Sequence, residues 1–268
     1  MPSPPDPELT TDSAAALLNQ GDELFKLGRH DEALTHYEAA LTIDGDADFS
    51  FLVKGALLAR LGQHDPAITY CDKHLDFYPQ DAEGWKLKGR VCAAARRSDQ
   101  ALHCYERALQ LNPRDVAVLL YKGYLLADRF QQYEKAIECY DAALQANPRD
   151  PKVWRLKGTA LHNLDRFRKA IACYNRALRI DRKNAETWKD KGDSLNCLAL
   201  TKKALVCYRK ALQIEPRNAS LWYIAALTFD DLGKSRQAIR AYRQVITCAA
   251  PEDRDLANQA RIALGVAS

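Results

Sequence analysis

Residues Trp85–Asp115 read WKLKGRVCAAARRSDQALHCYERALQLNPRD. Their apolar spacing predicts two amphipathic helices, with a turn at Arg96–Ser98 between them and a stop at Asn112-Pro113. The stretch is repeated along the chain, and its glycine recurs every 34 or 35 residues, as Gly21, Gly55, Gly89, Gly123, Gly158 and Gly192. Its tryptophan returns as Trp154, Trp188 and Trp222. Self-similarity at this period predicts a stacked array of helix pairs.

The period divides the chain into seven units. They are 14–47, 48–81, 82–115, 116–150, 151–184, 185–218 and 219–252. The extra residue of the fourth unit is placed in the turn near Arg129–Gln132, where an insertion costs least. Residues 1–13 are predicted to be a disordered Pro-rich lead, and residues 253–268 a capping helix and tail. Leu256, Ala260, Ile262 and Leu264 are expected to cover the apolar face of the last unit.

The small residues and the prolines of a unit have predictable roles. A glycine inside a helix costs about 1 kcal/mol relative to alanine, so the recurring Gly89 position indicates close helix contact. The alanine twelve residues later, Ala101, is its expected partner. Pro113 cannot continue the second helix. Asp115, and likewise Asp81, Asp150 and Asn218, is expected to cap the helix that follows.

With these residues at these intervals, the chain resembles the tetratricopeptide repeat family over about residues 14–252. It departs from the family pattern where Leu17, Phe51 and Leu119 replace the tryptophan and where Ala226 replaces the glycine. Arg182 and Gly45 stand where proline is usual. The resemblance implies an all-α, right-handed superhelical solenoid of seven antiparallel helix pairs. It also implies that the first helices line a concave groove, that partner peptides or helices bind there, and that the protein is not catalytic.

Lysine precedes the glycine in several units, where the family often has leucine. The positions are Lys54, Lys88, Lys122, Lys157 and Lys191. They predict lysine stems packed between first helices with the ammonium groups reaching water. An anion-binding ladder is the alternative.

Composition and motifs exclude several classes of function. Apolar residues make up 47% and charged residues 28% of the 268 residues, as in ordinary soluble proteins. No apolar run approaches the length of a membrane span, and the first residues do not resemble a secretory signal. No phosphate loop, catalytic motif or metal-ligand spacing is present, so neither an enzyme nor a cofactor or metal site is predicted.

Eight cysteines are present and none forms a CxxC pair. Four of them stand beside a tyrosine in the second helix of a unit, which suits a small apolar side chain between helices. Reduced, buried cysteines in a cytoplasmic protein are therefore predicted. A disulfide ladder or a metal site is the alternative.

The net charge of +4 is unevenly distributed. Residues 1–50 contain 11 acidic and two basic residues, a net charge of −9, and the rest of the chain therefore carries +13. The asymmetry favours acidic partners, or head-to-tail contacts between copies that would build a self-assembling homo-oligomer. The alternative is that these are solvated surfaces whose charges differ through sequence drift and have no functional role.

First-helix residues off the apolar stripe are expected to face the groove. Those chosen as the partner-binding site are Lys86, Arg90, Leu120, Tyr124, Arg155, Thr159, His162, Lys189 and Asp193. Four of them make a basic centre, with an apolar and an aromatic residue inside it. This combination predicts a protein or peptide partner that is acidic and carries one bulky apolar anchor. A solvated face is the alternative.

The groove residues bear on two other kinds of partner. No first helix has the Lys/Asn pair, four residues apart, with which certain co-chaperones grip the acidic tail of heat-shock chaperones, so that type of clamp is not predicted. RNA or single-stranded nucleic acid is the alternative for a basic groove. It is less favoured because Tyr124 supplies only one groove aromatic in the four central units.

Overall fold

The computed structural model describes residues 49–266 and, before them, residues 16, 17, 19–21, 23, 24, 27, 29, 32, 33, 35, 36, 39 and 40. The predicted lead 1–13 and much of the first unit, 14–47, lie outside the described residues. The chain divides into two compact units, 1–125 and 126–268. From residue 49 to residue 266 the regular structure is helical.

The helices follow one another at the predicted period. Their bounds are α1 Phe49–Arg60, α2 His64–Phe77, α3 Ala82–Ala94, α4 Ser98–Leu111, α5 Val116–Asp128, α6 Tyr133–Ala146, α7 Pro151–Asn163, α8 Phe167–Ile180, α9 Ala185–Cys197, α10 Thr201–Ile214, α11 Ala219–Asp231, α12 Ser235–Cys248 and α13 Arg254–Ala263. In the unit 1–125, α1 packs on α2, α2 on α3 and α3 on α4. In the unit 126–268, each helix from α6 to α13 packs on the next.

A tyrosine ring against a glycine brings the two helices of a repeat together. An ideal Cβ built on Gly89 would lie 2.6 Å from Cε1 of Tyr105, and the rings of Tyr174 and Tyr208 lie in the same way against Gly158 and Gly192. These tyrosines are fully buried. The predicted close approach is therefore present, but the nearest atoms to Gly89 belong to Tyr105 and Cys104, not to Ala101.

The predicted helix caps are confirmed. The Asp81 side chain accepts a hydrogen bond from the Glu83 amide, and Asp115 accepts one from the Val118 amide. Asp150 and Asn218 cap α7 and α11 in the same way. These side chains satisfy amides that would otherwise have no partner in the first turn.

The recurring tryptophan holds the turn between repeats. The Nε1–H of Trp85 donates to the carbonyl of Pro79, and those of Trp154 and Trp222 donate to Pro148 and Pro216. Trp188 donates to the carbonyl of Arg182. Because the acceptor is a backbone carbonyl, an arginine can replace the usual proline without loss of this bond.

The turns inside the repeats share a left-handed residue. Arg96, Gln131, Asp165 and Ala199 have φ between 52° and 60°, and Gly62 and Gly233 have 73° and 66°. The turns close with amide-to-carbonyl bonds such as Arg97 to Cys92, as in a Schellman motif. In the fourth repeat the bond joins Gln132 to Leu126 and spans one residue more, which confirms the position of the insertion.

The lysines before the glycines bind carboxylates of the preceding repeat. Lys88 pairs with Asp72 at 2.5 Å and Lys122 with Glu106 at 3.1 Å, and Lys157 pairs with Asp141. Lys191 lies over the ring of Trp188 at 5.1 Å. Because Lys88, Lys122 and Lys157 already pair with carboxylates of this chain, they do not form the row of unpaired cations that an anion-binding ladder requires.

The C-terminal helix packs on the last repeat only in part as predicted. Ala260 is fully buried, and Leu256 and Leu264 pack against the cluster around Tyr242 and Val245. Ile262 is 78% exposed, so its expected contribution was wrong. It lies two residues from Ala260 along α13 and therefore points to a different side of the helix.

The cysteines form no disulfide, and six of the eight are buried. Burial raises the pKa of the Cys71 thiol to about 12, which keeps it protonated at neutral pH. None of the helices among the described residues is long and apolar enough to cross a membrane.

Replacing Gly89 by alanine should destabilise the chain, because the new methyl group would collide with the buried Tyr105 ring. We expect a loss of about 1–3 kcal/mol from overpacking, reduced by the better helix propensity of alanine. Urea unfolding followed by circular dichroism measures it. Gly55→Ala is the control, since its nearest atom is the Cys71 sulfur at 3.1 Å; equal losses at both positions would contradict the ring contact.

Replacing Ala199 by glycine should stabilise the chain. Ala199 is exposed and has φ 57°, a conformation that costs an L-residue about 1–2 kcal/mol. Allowing for the greater unfolded-state entropy of glycine, we expect a gain of about 0.5–1 kcal/mol in the same unfolding assay. Ala172→Gly, at an exposed position inside α8, should instead cost about 1 kcal/mol. A loss of stability in Ala199→Gly would show that the turn is not strained.

Candidate interaction site

The side of the first helices that carries the predicted site residues is here called the first-helix face. In the unit 1–125 it includes Lys86, which projects from α3 and is held by two carboxylates. Its Nζ donates to Glu83 Oε1 at 2.5 Å and to Asp115 Oδ2 at 3.2 Å. Partial burial alone would lower the pKa of Lys86, but the hydrogen bonds to Glu83 and Asp115 outweigh it and raise the pKa. Since Asp115 also caps α5, Lys86 ties α3 to the start of the next repeat.

Arg90 and the tyrosines of α5 make the second part of this face. The Arg90 guanidinium is exposed and lies 5.6 Å from the ring centroid of Tyr121, which stacks on Tyr105 at 5.9 Å. Tyr124 follows Tyr121 by three residues, on the same side of α5, and is 57% exposed. Leu120 is half-buried one turn before Tyr124. Cation, aromatic surface and exposed phenol thus lie close together.

Arg155 organises the first-helix face of the unit 126–268. From α7 it reaches α9, where it contacts Glu186 Oε2 at 3.0 Å and Asp190 Oδ2 at 3.3 Å. The Asp190 side chain is 18% exposed. Burial raises the pKa of Asp190, although Arg155 and Lys189 act in the opposite direction. Arg155 is therefore the ion-pair partner of a carboxylate that is largely shielded from water.

The remaining predicted residues of this unit join a hydrogen-bonded network. Lys189 Nζ donates to Asp193 at 2.9 Å, and the Tyr208 hydroxyl donates to the other oxygen of Asp193, also at 2.9 Å. His162 Nδ1 lies 2.8 Å from the hydroxyl of the buried Ser194. The Thr159 hydroxyl donates to the Arg155 carbonyl at 3.2 Å. These contacts order the face before any ligand arrives.

The sequence placed these side chains on first helices but did not reveal their partners. Three of the four predicted cations, Lys86, Arg155 and Lys189, have carboxylate partners, whereas Arg90 has none among the described residues. The partners and the ring beneath Arg90 were absent from the predicted site; they are Asp115, Glu186, Asp190, Ser194 and Tyr121. The sequence did contain one signal for these partners. Asp190 directly follows Lys189 in α9, the first helix of the repeat after that of Arg155.

The chemistry open to these faces is non-covalent recognition. Guanidinium, ammonium, hydroxyl and carboxylate groups on these faces can form hydrogen bonds, and Tyr124 offers apolar surface. Among the described residues, no three His, Cys, Asp or Glu side chains are grouped so that they could hold a metal ion.

Arg155→Glu should destabilise the fold, because it removes the guanidinium from Asp190 and places a third carboxylate beside Asp190 and Glu186. We expect a loss of about 1–3 kcal/mol, typical of a partly buried charged group left without a partner. Arg90→Glu makes the same charge change on an exposed, unpaired side chain and should leave the urea midpoint unchanged. Equal midpoints for both variants would contradict a structural role for Arg155.

Comparison with known proteins agrees with this repeat architecture. The profile described as "Cytochrome c-type biogenesis protein H TPR domain" matches residues 73–188, and two profiles described as "Tetratricopeptide repeat" match residues 14–46 and 219–249. A comparison with curated protein sequences found no match.

Solved structures with the same fold differ widely from this chain in sequence. A tetratricopeptide repeat protein from Parabacteroides merdae has 13% identity and a TM-score of 0.66, with 93% of this chain and 99% of that chain covered. MamA from Desulfovibrio magneticus has 21% identity and a TM-score of 0.61, covering 64% and 97%.

YrrB, described as a TPR protein with an unusual peptide-binding site, has 20% identity and a TM-score of 0.57, covering 71% and 97%. Identities this low establish the fold alone. Together with the three matching profiles and the repeated Gly–Tyr contacts, they confirm the all-α solenoid of helix pairs. The chain belongs to the tetratricopeptide repeat family.

Proposed function

We propose that this chain is a non-catalytic scaffold that recruits a protein partner through its first-helix faces. The proposed ligand is an extended peptide segment with carboxylates and one bulky apolar anchor. Family membership supports a role in protein interaction, and YrrB is an example of the fold with a peptide-binding site. The two faces, one in each compact unit, are proposed as binding surfaces in their own right.

The exposed cation and aromatic group on the face of the unit 1–125 carry this proposal. Arg90 has no carboxylate partner among the described residues and lies against Tyr121. A guanidinium of this kind is free to take a carboxylate from a ligand, and its planar face is already oriented by the ring. Tyr124 is more than half exposed and gives an apolar side chain a surface on which to pack.

The paired residues of the unit 126–268 have a different proposed role. Ion pairs with Asp190, Glu186 and Asp193 neutralise much of the charge of Arg155 and Lys189. These two cations therefore attract an acidic ligand less than unpaired cations would. Their network instead holds side chains in place, which lowers the entropy lost when a peptide binds. The hydrogen-bonding capacity left on these groups supports contact with a peptide backbone.

The reduced cysteines support a reducing compartment, and we place this role in the cytoplasm. Six of the eight thiols are buried and none is paired, whereas extracellular and periplasmic proteins commonly contain disulfides. The profile match to a cytochrome c biogenesis domain makes the periplasm the alternative. Fractionation of the source cells tests the two.

Selection from a random dodecapeptide phage library tests the proposal without knowledge of the natural partner. The wild-type chain should enrich peptides that combine Asp or Glu with one bulky apolar residue. A synthetic peptide with the enriched sequence should bind Arg90→Glu/Tyr124→Ala about thirtyfold more weakly, equivalent to about 2 kcal/mol at a hot spot. Fluorescence polarisation measures the affinity.

Arg114→Glu is the matched control for charge, because Arg114 is also exposed, in the turn between α4 and α5. It should bind the peptide as the wild type does, and circular dichroism should show unchanged helicity in every variant. Enrichment of peptides without acidic residues, or an equal loss in Arg114→Glu, would refute the proposed ligand.

A further inference from the structure

The exposed faces of the second helices change sign of charge along the chain. The second residue of each of these helices, in order from α2 to α12, is Asp65, Asp99, Glu134, Arg168, Lys202 and Arg236. The ninth residue is Asp72, Glu106, Asp141, Asn175, Arg209 and Arg243. Residues seven apart lie two turns apart on one side of a helix. One side of α2, α4 and α6 is therefore acidic, and the same side of α8, α10 and α12 is basic, apart from the neutral Asn175 of α8.

The basic side has no carboxylates of its own. Four Lys or Arg residues lie in α8, four in α10 and three in α12, and these helices contain no Asp or Glu. All eleven side chains are exposed, and within the described part of the chain none forms an ion pair. This contrasts with the first-helix face, where three of the four predicted cations are paired.

The acidic side, by comparison, is mostly neutralised. Asp65 pairs with Arg97 at 2.6 Å and Glu134 with Arg166 at 3.3 Å. The three ninth-position carboxylates bind the lysines of the following repeats, as described for Lys88. A second copy of this chain therefore offers few free carboxylates in α2, α4 and α6, and these helices are a poor match for the unpaired bases.

The last repeat also lacks the cations that cover a tryptophan ring elsewhere. Trp85, Trp154 and Trp188 each have two cations over the ring, from the residues three and twenty-two positions later. For Trp222 those positions are Ala225 and Gln244. The carboxylate that would pair with the missing lysine is replaced too, because Arg209 stands where Asp72 stands for Lys88.

Open space lies beside Trp222 as a result. One pocket of about 600 Å³ and another of about 270 Å³ share the side chains of Trp222 and Phe229. Arg240, Arg243 and Gln244 line the larger pocket, and Arg209 lines the smaller. An apolar floor is thus bordered by three arginines that have no carboxylate partner in the part of the chain that the structure describes.

Exposed aliphatic side chains on the same helices as the unpaired Lys and Arg residues favour a polypeptide ligand over a nucleic acid. Val206 of α10 is 54% exposed and Ile239 of α12 is 42% exposed; such aliphatic side chains can contact a polypeptide but give a nucleobase no ring on which to stack. Single-stranded nucleic acid would need free rings for its bases. Trp154 and Trp188 are covered by their own cations.

We propose that the second-helix side of α8, α10 and α12 is a docking surface for an acidic polypeptide segment of another protein, with one bulky apolar side chain seated between Trp222 and Phe229. The ligand's carboxylates pair with Arg209, Arg240 and Arg243, for which the described part of the chain supplies no carboxylate. This surface is separate from the first-helix faces. Its test is made in a chain that carries Arg90→Glu/Tyr124→Ala, because the first-helix face proposed above would bind the same kind of ligand.

The probe is a fluorescein-labelled peptide with one phenylalanine between two runs of three glutamates. Fluorescence polarisation at moderate salt measures its affinity for the full chain with Arg90→Glu/Tyr124→Ala, which is the parent chain for the variants below. Arg209→Glu/Arg243→Glu should weaken binding by at least about tenfold, because two attractive contacts become repulsive. Arg217→Glu/Arg254→Glu makes the same change of net charge at exposed arginines outside the three helices and should weaken binding much less.

A second variant separates the anchor from the charge. Gln244→Arg restores one of the cations that cover the other tryptophans, and so fills the pocket while adding positive charge. It should abolish the preference of the parent chain for the phenylalanine peptide over the same peptide with serine in its place. Gln259→Arg, exposed on α13 and outside the pocket, should retain that preference.

Four results would overturn the proposal. Equal losses in the two double variants would mean a general effect of net charge. Equal binding of the phenylalanine and serine peptides by the parent chain would show that no apolar side chain is seated between Trp222 and Phe229. A uridine oligonucleotide that competes through Arg209 and Arg243 but is insensitive to Gln244→Arg would identify a nucleic-acid surface. A wild-type dimer in sedimentation velocity that becomes monomeric in Arg209→Glu/Arg243→Glu would identify a second copy as the occupant.

Discussion

The contact of a buried tyrosine ring with a helical glycine is the constraint on which the repeats of Gly89, Gly158 and Gly192 depend. At Gly89 the ring of Tyr105 occupies the space that a Cβ would need. The two helices can therefore approach closely, and the rest of the repeat is placed relative to that contact. The tryptophan Nε1–H then reaches back to the preceding turn, and the Asp cap starts the next helix. Because the same residues return at the same period, the same contacts recur.

A regular backbone makes the irregular side chains informative. Each repeat offers the same exposed positions, so a change of charge at one of them changes what that surface can bind without disturbing the packing. Lys86 and Arg155 are satisfied by Asp115 and Asp190, whereas Arg90 is not. Cations with internal carboxylates act mainly as structural ties, and cations without them remain available to a ligand.

Counting charges along the sequence did not distinguish these two kinds of cation. The excess of basic residues after residue 50 is visible in the sequence, and the predicted site took four of these cations, all on first helices. The structure shows that three of those four have carboxylate partners and that unpaired bases are concentrated on α8, α10 and α12. Arg209 and Arg243 could have been noticed from sequence, since aligned repeats carry Asp72 and Glu106 at the same position. The pocket beside Trp222 could not.

The sequence by itself determined the family, the helix pairs and their caps, because these depend on residues close in the chain or repeated at a fixed interval. Glycine, tyrosine, proline and Asp or Asn have local preferences strong enough to place each helix within a few residues. Only the tertiary structure decided that Tyr105, not Ala101, lies against Gly89 and that Asp190 holds Arg155. It also decided that the ring of Trp222 borders open space. Those contacts join residues from different helices, and their distances depend on how closely the helices pack.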